Sequence, residues 1–358
     1  MSALPISAAG ATTADPCAGA PATVAGQQAA FTTLAGFGGG WSTADGYVPV
    51  PLPDGRTAWL MSDTLLAPPA ADPAAGAAFV HNSIVVQRGR CFTPAMGGTA
   101  ETRDDLVPSV DGNACWQSAG VARGDELVVF CTEVVNADGP PGFGFRVVGT
   151  ALATFDLPSL TFTGRVALPF TEPAGIRWGT GAVRDGDWAY VYGADTAAQY
   201  VARVRFDRIT TGPWQFWTGR AWGDRTALVP MTFAGASPAM PAFVTPTSTG
   251  YVAVAFASPL PDPTIAGWTA TAPQGPWQPT GTVTAAVTSG GQYAYDARAV
   301  DLGRAGWAVV YNVNDPVAVA TDPTVYCGRF VPAPRRFRAS GFRARGSGAV
   351  SRAGLRSP

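Results

Sequence analysis

The sequence predicts an all-β fold, a five-bladed β-propeller, and three observations lead there. Glycine (43) and proline (32) together make up about a fifth of the 358 residues, a chain rich in turns and poor in long helices. Short apolar, β-rich runs recur at a spacing of about sixty residues. Each run is flanked by strand-like segments and turn signals, which gives the three- to four-stranded antiparallel unit of a propeller blade.

The five runs are TAWLMSD (57–63), ELVVFCTE (126–133), WAYVYGAD (188–195), YVAVAFAS (251–258) and WAVVYNVND (307–315). Each follows another strand-like segment: GYVPVPLPDG, SAGVARGD, GTGAVRDGD, AFVTPTSTG and DARAVDLGRAG. A third segment comes after each: FVHNSIVVQRG, FRVVGTALATFD, YVARVRFDRI, GWTATAPQGPW and TVYCGRFV. Fourth strands are fainter, with VALPF (166–170) and WQFWTGRAW (214–222) as candidates. A large β-sandwich is the competing architecture, but its strands need not group at a fixed period. Residues 1–22, mostly Ala, Thr, Pro and Gly, read as a flexible N-terminal arm, 23–331 as the propeller, and 332–358 as an Arg/Gly/Ser-rich disordered tail. The segment 24–34 is expected to add a strand to the last blade, closing the ring and hiding its sheet edges.

Charge narrows the function. All 24 basic residues are Arg, and seven of them lie after Pro334, where there is no Asp or Glu, so the body carries 17 Arg against 25 acids. That balance argues against a nucleic-acid-binding body. No uninterrupted apolar stretch reaches the length of a membrane span. Five cysteines (Cys17, Cys91, Cys115, Cys131, Cys327) form no CxxC pair and the only histidine is His81, so no metal and no cofactor is expected. The odd count permits at most two disulfides, whose pairing is left open. The N-terminus lacks the basic start and apolar core of a signal peptide; either a signal precedes this start or export is not involved.

The chemistry points to one hairpin. Pro53-Asp54-Gly55 is a tight-turn signature between two strand-like runs, Gly46–Leu52 and Arg56–Met61. A three-residue loop makes pairing symmetric about Asp54, so that Asp45 faces Asp63; a two-residue loop puts the two on a diagonal. Either register leaves their Cβ atoms about 4.5–8 Å apart. Carboxylates that close resist joint ionisation, which suits one as acid and the other as base or nucleophile. Paired aspartates at strand ends also serve as turn caps or calcium ligands. Ser–His–Asp hydrolysis would need His81 as base, and no Gly-x-Ser-x-Gly elbow exists; no phosphate-cradling loop exists either. Paired carboxylates with aromatic platforms fit sugar chemistry, and Trp41 and Trp178 stand closest to the expected rim. A non-catalytic carbohydrate-binding propeller and a structural surface protein are the alternatives.

The stretches ADGYVPVPLPDGRTAWLMSDT (44–64), FVHNSIVV (79–86), RWGTGAVRDGDWAYVYG (177–193) and YDARAVDLGRAGWAVVYNVN (295–314), with CGRFV (327–331), resemble the actinobacterial endo-D-arabinanase family of glycoside hydrolases or its close sister family, both five-bladed propellers. The resemblance implies a hydrolase that cleaves α-linked D-arabinofuranosyl chains of cell-wall polysaccharide. It implies Asp45 and Asp63 as the catalytic pair, and Asn82, Trp178, Asn312 and Asn314 as residues near the cleft. The chain is expected to be a secreted or cell-surface monomer whose partner is a polysaccharide or oligosaccharide. The chain departs from the family pattern at Cys115-Trp116-Gln117-Ser118 and Tyr326-Cys327-Gly328.

Overall fold

The computed structural model describes residues 15, 17–34, 40–66, 78–99, 101–140, 143–170, 172, 175–235, 238–239, 241–259, 262–320 and 322–334. Most of the N-terminal arm and the Arg-rich tail from residue 335 lie outside the described residues. The class is all-β, with one α-helix among the described residues, α1 (Val24–Leu34).

Five antiparallel meanders follow one another. The first region holds β1 (Trp41–Ala44), β2 (Val48–Pro51), β3 (Thr57–Met61), β4 (Thr64–Leu66), β5 (Phe79–Val80), β6 (Ser83–Arg88) and β7 (Cys91–Ala95), arranged as one sheet β2-β3-β6-β7 and a smaller one β1-β4-β5. A two-stranded ribbon, β8 (Gly97–Gly98) with β9 (Arg103–Asp104), leads to the second sheet. That sheet is β10 (Ala114–Arg123), β11 (Glu126–Asn136), β12 (Phe145–Asp156) and β13 (Thr161–Ala167). The third is β14 (Arg177–Asp185), β15 (Trp188–Ala194), β16 (Gln199–Arg205), β17 (Gln215–Trp217) and β18 (Trp222–Gly223). The fourth is β19 (Phe243–Pro246), β20 (Tyr251–Phe256), β21 (Thr264–Ala270) and β22 (Gln278–Ala285). The fifth is β23 (Tyr293–Asp301), β24 (Trp307–Asn314) and β25 (Cys327–Pro332).

The five recurring apolar runs are β3, β11, β15, β20 and β24, the second strand of each sheet. They read as continuous apolar runs because both of their faces are buried. In β11, Leu127, Val129 and Cys131 pack toward Leu60 and Ile84 of the first sheet. Val128 and Phe130, on the other face, pack toward Trp178 and Val191 of the third. Similar clusters join the third sheet to the fourth and the fourth to the fifth. One more joins Val300, Val310 and Phe330 of the fifth sheet to Trp41, Trp59 and Met61 of the first, with α1 between them.

The segment 24–34 is thus a helix, which corrects the expected strand. Its buried residues, Val24, Gln27, Phe31 and Leu34, fall three to four apart, the period of one helical face. Thr23 caps its start through Oγ1 to the Gly26 N–H at 3.0 Å. The helix still does the edge-covering work. It lies against β25, Gln28 Oε1 accepts the Phe330 N–H at 2.9 Å, and Phe31 sits among Tyr47, Trp59, Phe92 and Phe330 at 5.0–5.6 Å between ring centres. Two disulfides settle the pairing left open by sequence. Cys17–Cys91 ties the segment before α1 to β7, Cys115–Cys131 bridges β10 and β11, and Cys327 is free. No helix among the described residues is long and apolar enough to cross a membrane.

Candidate active site

The opening hairpin pairs symmetrically about Asp54. Val48 faces Leu60, Pro51 faces Thr57 and Ala44 faces Thr64, the three-residue-loop register. Gly55, at φ +85°, and the Leu52 N–H to Arg56 O bond at 2.8 Å close the turn. Between its inner and outer halves the ladder breaks. Asp45 donates its N–H to Asp63 O at 3.2 Å, but its own carbonyl accepts from Ser62 N–H at 3.0 Å. Two residues of one strand therefore oppose one of the other, the pattern of a β-bulge, which re-aims side chains. On the opposing strand Gly46 (φ +97°) and Tyr47 (φ 49°) bend the chain. A Cβ on Gly46 would stand 2.9 Å from Ser62 N, so glycine is required there. The two aspartates are thus set opposite each other at this break.

Both line a cleft of about 750 Å³. Each aspartate has its own surroundings. Asp45 Oδ2 accepts the Tyr295 hydroxyl at 2.7 Å, the Tyr326 hydroxyl is also close to the carboxyl, and Oδ1 is shielded from water. Burial, together with the nearby Asp63 charge, pushes the Asp45 carboxyl up to about 7, against the pull of the Tyr295 and Tyr326 hydroxyls. Tyr326 is held in turn by Thr43, whose Oγ1 donates to its carbonyl. Asp63 instead gathers donors on one oxygen: Trp116 Nε1 lies 2.7 Å and His81 Nδ1 3.1 Å from Oδ1. That hydrogen bond raises the His81 imidazole above its usual value. Beneath the pair, buried Arg298 donates to Gly46 O and lies 4.2 Å from the Phe243 ring centre; burial lowers its guanidinium to about 10.

Aromatic side chains line the mouth. Phe143, at the tip of the β11–β12 hairpin, stacks on Tyr293 of β23 at 5.7 Å, and Tyr293 lies 5.5 Å from Tyr295. Trp116 meets Phe145 edge-on at 4.4 Å. Asn314 also lines the cleft and donates to the Tyr293 hydroxyl at 3.1 Å. Among the described residues no three His, Cys, Asp or Glu side chains converge as metal ligands would.

Four other residues expected from sequence to stand near the cleft do not line it. Trp41 is a core residue whose Nε1 bonds Ser83 Oγ at 3.2 Å. Asn82 is buried and spends its amide on Val107 N, Val107 O and Cys115 O. Trp178 packs against Phe170 and Phe216, and Asn312 is buried in β24.

Sequence reading missed His81, Trp116, Tyr295 and Tyr326 as neighbours of the aspartates. Tyr295 alone carried a signal, because it stands near the start of the first strand of the fifth unit, as Asp45 does in the first.

A comparison with curated proteins returns no match. Among solved structures, the fold is similar to that of a presumptive hydrolase from Bacteroides ovatus, at 16% identity and a TM-score of 0.67 over 86% of this chain and 88% of that one. It is also similar to the GH43 protein BlXynB of Bacillus licheniformis, at 14% identity and a TM-score of 0.51 over 82% of this chain. The match spans 53% of that protein. At such identities the likeness is one of fold. The sequence profile described as domain of unknown function DUF5005 matches residues 29–310, and the chain belongs to that family.

Proposed function

We propose that the protein is a glycoside hydrolase that cleaves arabinofuranosyl linkages in cell-wall polysaccharide, with Asp45 as general acid and Asp63 as base or nucleophile. The observation that carries the reading is the contrast within one opposed pair. Asp45 is shielded and holds its proton to about pH 7. Asp63 has Trp116 Nε1 and His81 Nδ1 on Oδ1, which leaves Oδ2 open to a substrate. A carboxyl group that keeps its proton, opposite a second carboxyl group with an open oxygen, is what glycosidic cleavage uses. The Asp45 proton passes to the glycosidic oxygen as its bond to the anomeric carbon breaks. Asp63 Oδ2 either attacks that carbon or takes a proton from the attacking water. The separation of the two carboxyl groups in a substrate complex decides between retention and inversion.

Two further lines support the reading. The GH43 neighbour belongs to a class of glycoside hydrolases, and the successive packing of five sheets, the fifth on the first, fits a closed five-bladed propeller spanning 23–331. The arabinan preference rests on the family resemblance in the hairpin and in the stretches around His81 and Tyr295. A secreted or cell-surface location follows from two disulfides, which persist in oxidising compartments. A non-catalytic sugar-binding propeller would need the aromatic walls alone and would gain nothing from a carboxyl group whose pKa is raised to about 7. The test is a screen of purified protein against D-arabinan, L-arabinan, galactan and xylan for new reducing ends. Release from D-arabinan is expected, and no release from any of the four would sink the proposal.

A further inference from the structure

The side of Asp63 that faces away from Asp45 is a fixed frame. His81 is the only histidine in the chain and sits in the short gap between β5 and β6. Its backbone N–H donates to Asp105 Oδ1 at 2.6 Å, and the next residue, Asn82, is locked by three hydrogen bonds. The imidazole stands edge-on to the Phe79 ring at 5.0 Å. Main chain and ring plane are therefore both held, with Nδ1 aimed at Asp63 Oδ1. Trp116 Nε1 reaches the same oxygen, and its ring is braced by Phe145. Two donors converging on one carboxylate oxygen restrict rotation about the terminal side-chain bond. They also leave Oδ2 with no hydrogen-bond partner among the described residues.

We propose that His81 is a positioning residue for Asp63: its Nδ1–H, with the Trp116 indole N–H, clamps Oδ1 and so presents Oδ2 to the substrate. This inference rests on the reading of Asp63 as base or nucleophile. It also gives a purpose to a histidine that lacks the serine partner needed for nucleophilic hydrolysis. The charged groups facing the imidazole are both acidic, Asp63 through its side chain and Asp105 beneath the backbone, and together with the hydrogen bond they favour its protonated form. Either the imidazolium or the Nδ1–H tautomer can donate to Oδ1, so the clamp persists through the His81 titration.

The lone histidine makes the test direct, because its ring signals in an NMR titration need no assignment. In the wild type the imidazole is expected to titrate above 6.5, and in Asp63→Asn the midpoint is expected to fall toward 6.5 or lower. A midpoint unmoved by Asp63→Asn overturns the clamp. The kinetic arm compares two amides. His81→Asn can place its amide nitrogen near the Nδ1 position, whereas His81→Gln extends toward Nε2. Relative to His81→Ala, with kcat lowered by about tenfold or more and KM little changed, the Asn variant is expected to recover much of kcat and the Gln variant not. Equal kcat for the Asn and Gln variants, each shown folded, overturns positioning in favour of plain packing. If the wild type cleaves no polysaccharide, the catalytic reading fails, and the NMR titration still decides the clamp.

Discussion

Replacing Asp45 with Asn is expected to remove activity and, at the same time, to stabilise the protein in a pH-dependent way. Folding raises the Asp45 carboxyl to about 7, from about 3.8 in the unfolded chain. The folded state therefore binds this proton more tightly than the unfolded state does. Stability from that preference is complete below about pH 4 and is lost as pH rises through about 7. A shift of about three pH units at 1.36 kcal/mol each amounts to roughly 4 kcal/mol. At pH 8 the wild type has forfeited all of it. Asn has the shape of the protonated carboxyl, cannot ionise, and keeps an oxygen for the Tyr295 hydroxyl at 2.7 Å. The gain of Asp45→Asn over wild type should thus be roughly 3–4 kcal/mol larger at pH 8 than at pH 4. Urea unfolding with disulfides intact, run at both pH values, measures it. An equal effect at the two pH values, or a loss at pH 8, would refute the assignment of Asp45 as a carboxyl held neutral by burial.

Two other outcomes follow from the same geometry. Activity in the wild type should decline as pH rises through about 7 and Asp45 loses its proton; Tyr295→Phe, which removes a hydrogen bond that favours the charged form, should move that limb to higher pH, as read from kcat/KM profiles. A limb that moves to lower pH contradicts the role of Tyr295. Gly46→Ala forces a Cβ to within 2.9 Å of Ser62 N at φ +97° and is expected to cost about 1–3 kcal/mol and to disturb the aspartate pair, seen as a lowered unfolding midpoint and lost activity.

The hairpin was legible because Pro53-Asp54-Gly55 fixes a turn, and a turn fixes which residues face each other along both strands. The five second strands were legible for a related reason: burial on both faces writes an unbroken apolar run. The helix 24–34 was not. It has four inward residues in eleven, and its Ala- and Gln-rich remainder carries no alternation for or against a strand. The two aspartates were legible because they share the hairpin, and Tyr295 only through its place at the start of the fifth sheet's first strand. His81, Trp116, Tyr295 and Tyr326 arrive from four separate segments and meet only once the sheets pack around the cleft. Trp116 and Tyr326 lie in the two stretches where the chain departs from the arabinanase pattern, so those departures fall beside the aspartates and not on a remote surface. Trp41 and Trp178 are buried and do not line the cleft, because closeness to a rim in sequence says nothing about which face a side chain takes beside a bulge. The register of β14 with β15 shifts between Trp178 and Gly181.

Asp45 and Asp63 are read as cleaving a glycosidic bond together. The most direct test of that reading is the rate of reducing-end release from D-arabinan by wild type, Asp45→Asn and Asp63→Asn, each confirmed folded by circular dichroism and by its unfolding transition. Release by the wild type is expected, with a fall of about a thousandfold or more in each variant. Variants that degrade the polymer as fast as the wild type would contradict that reading.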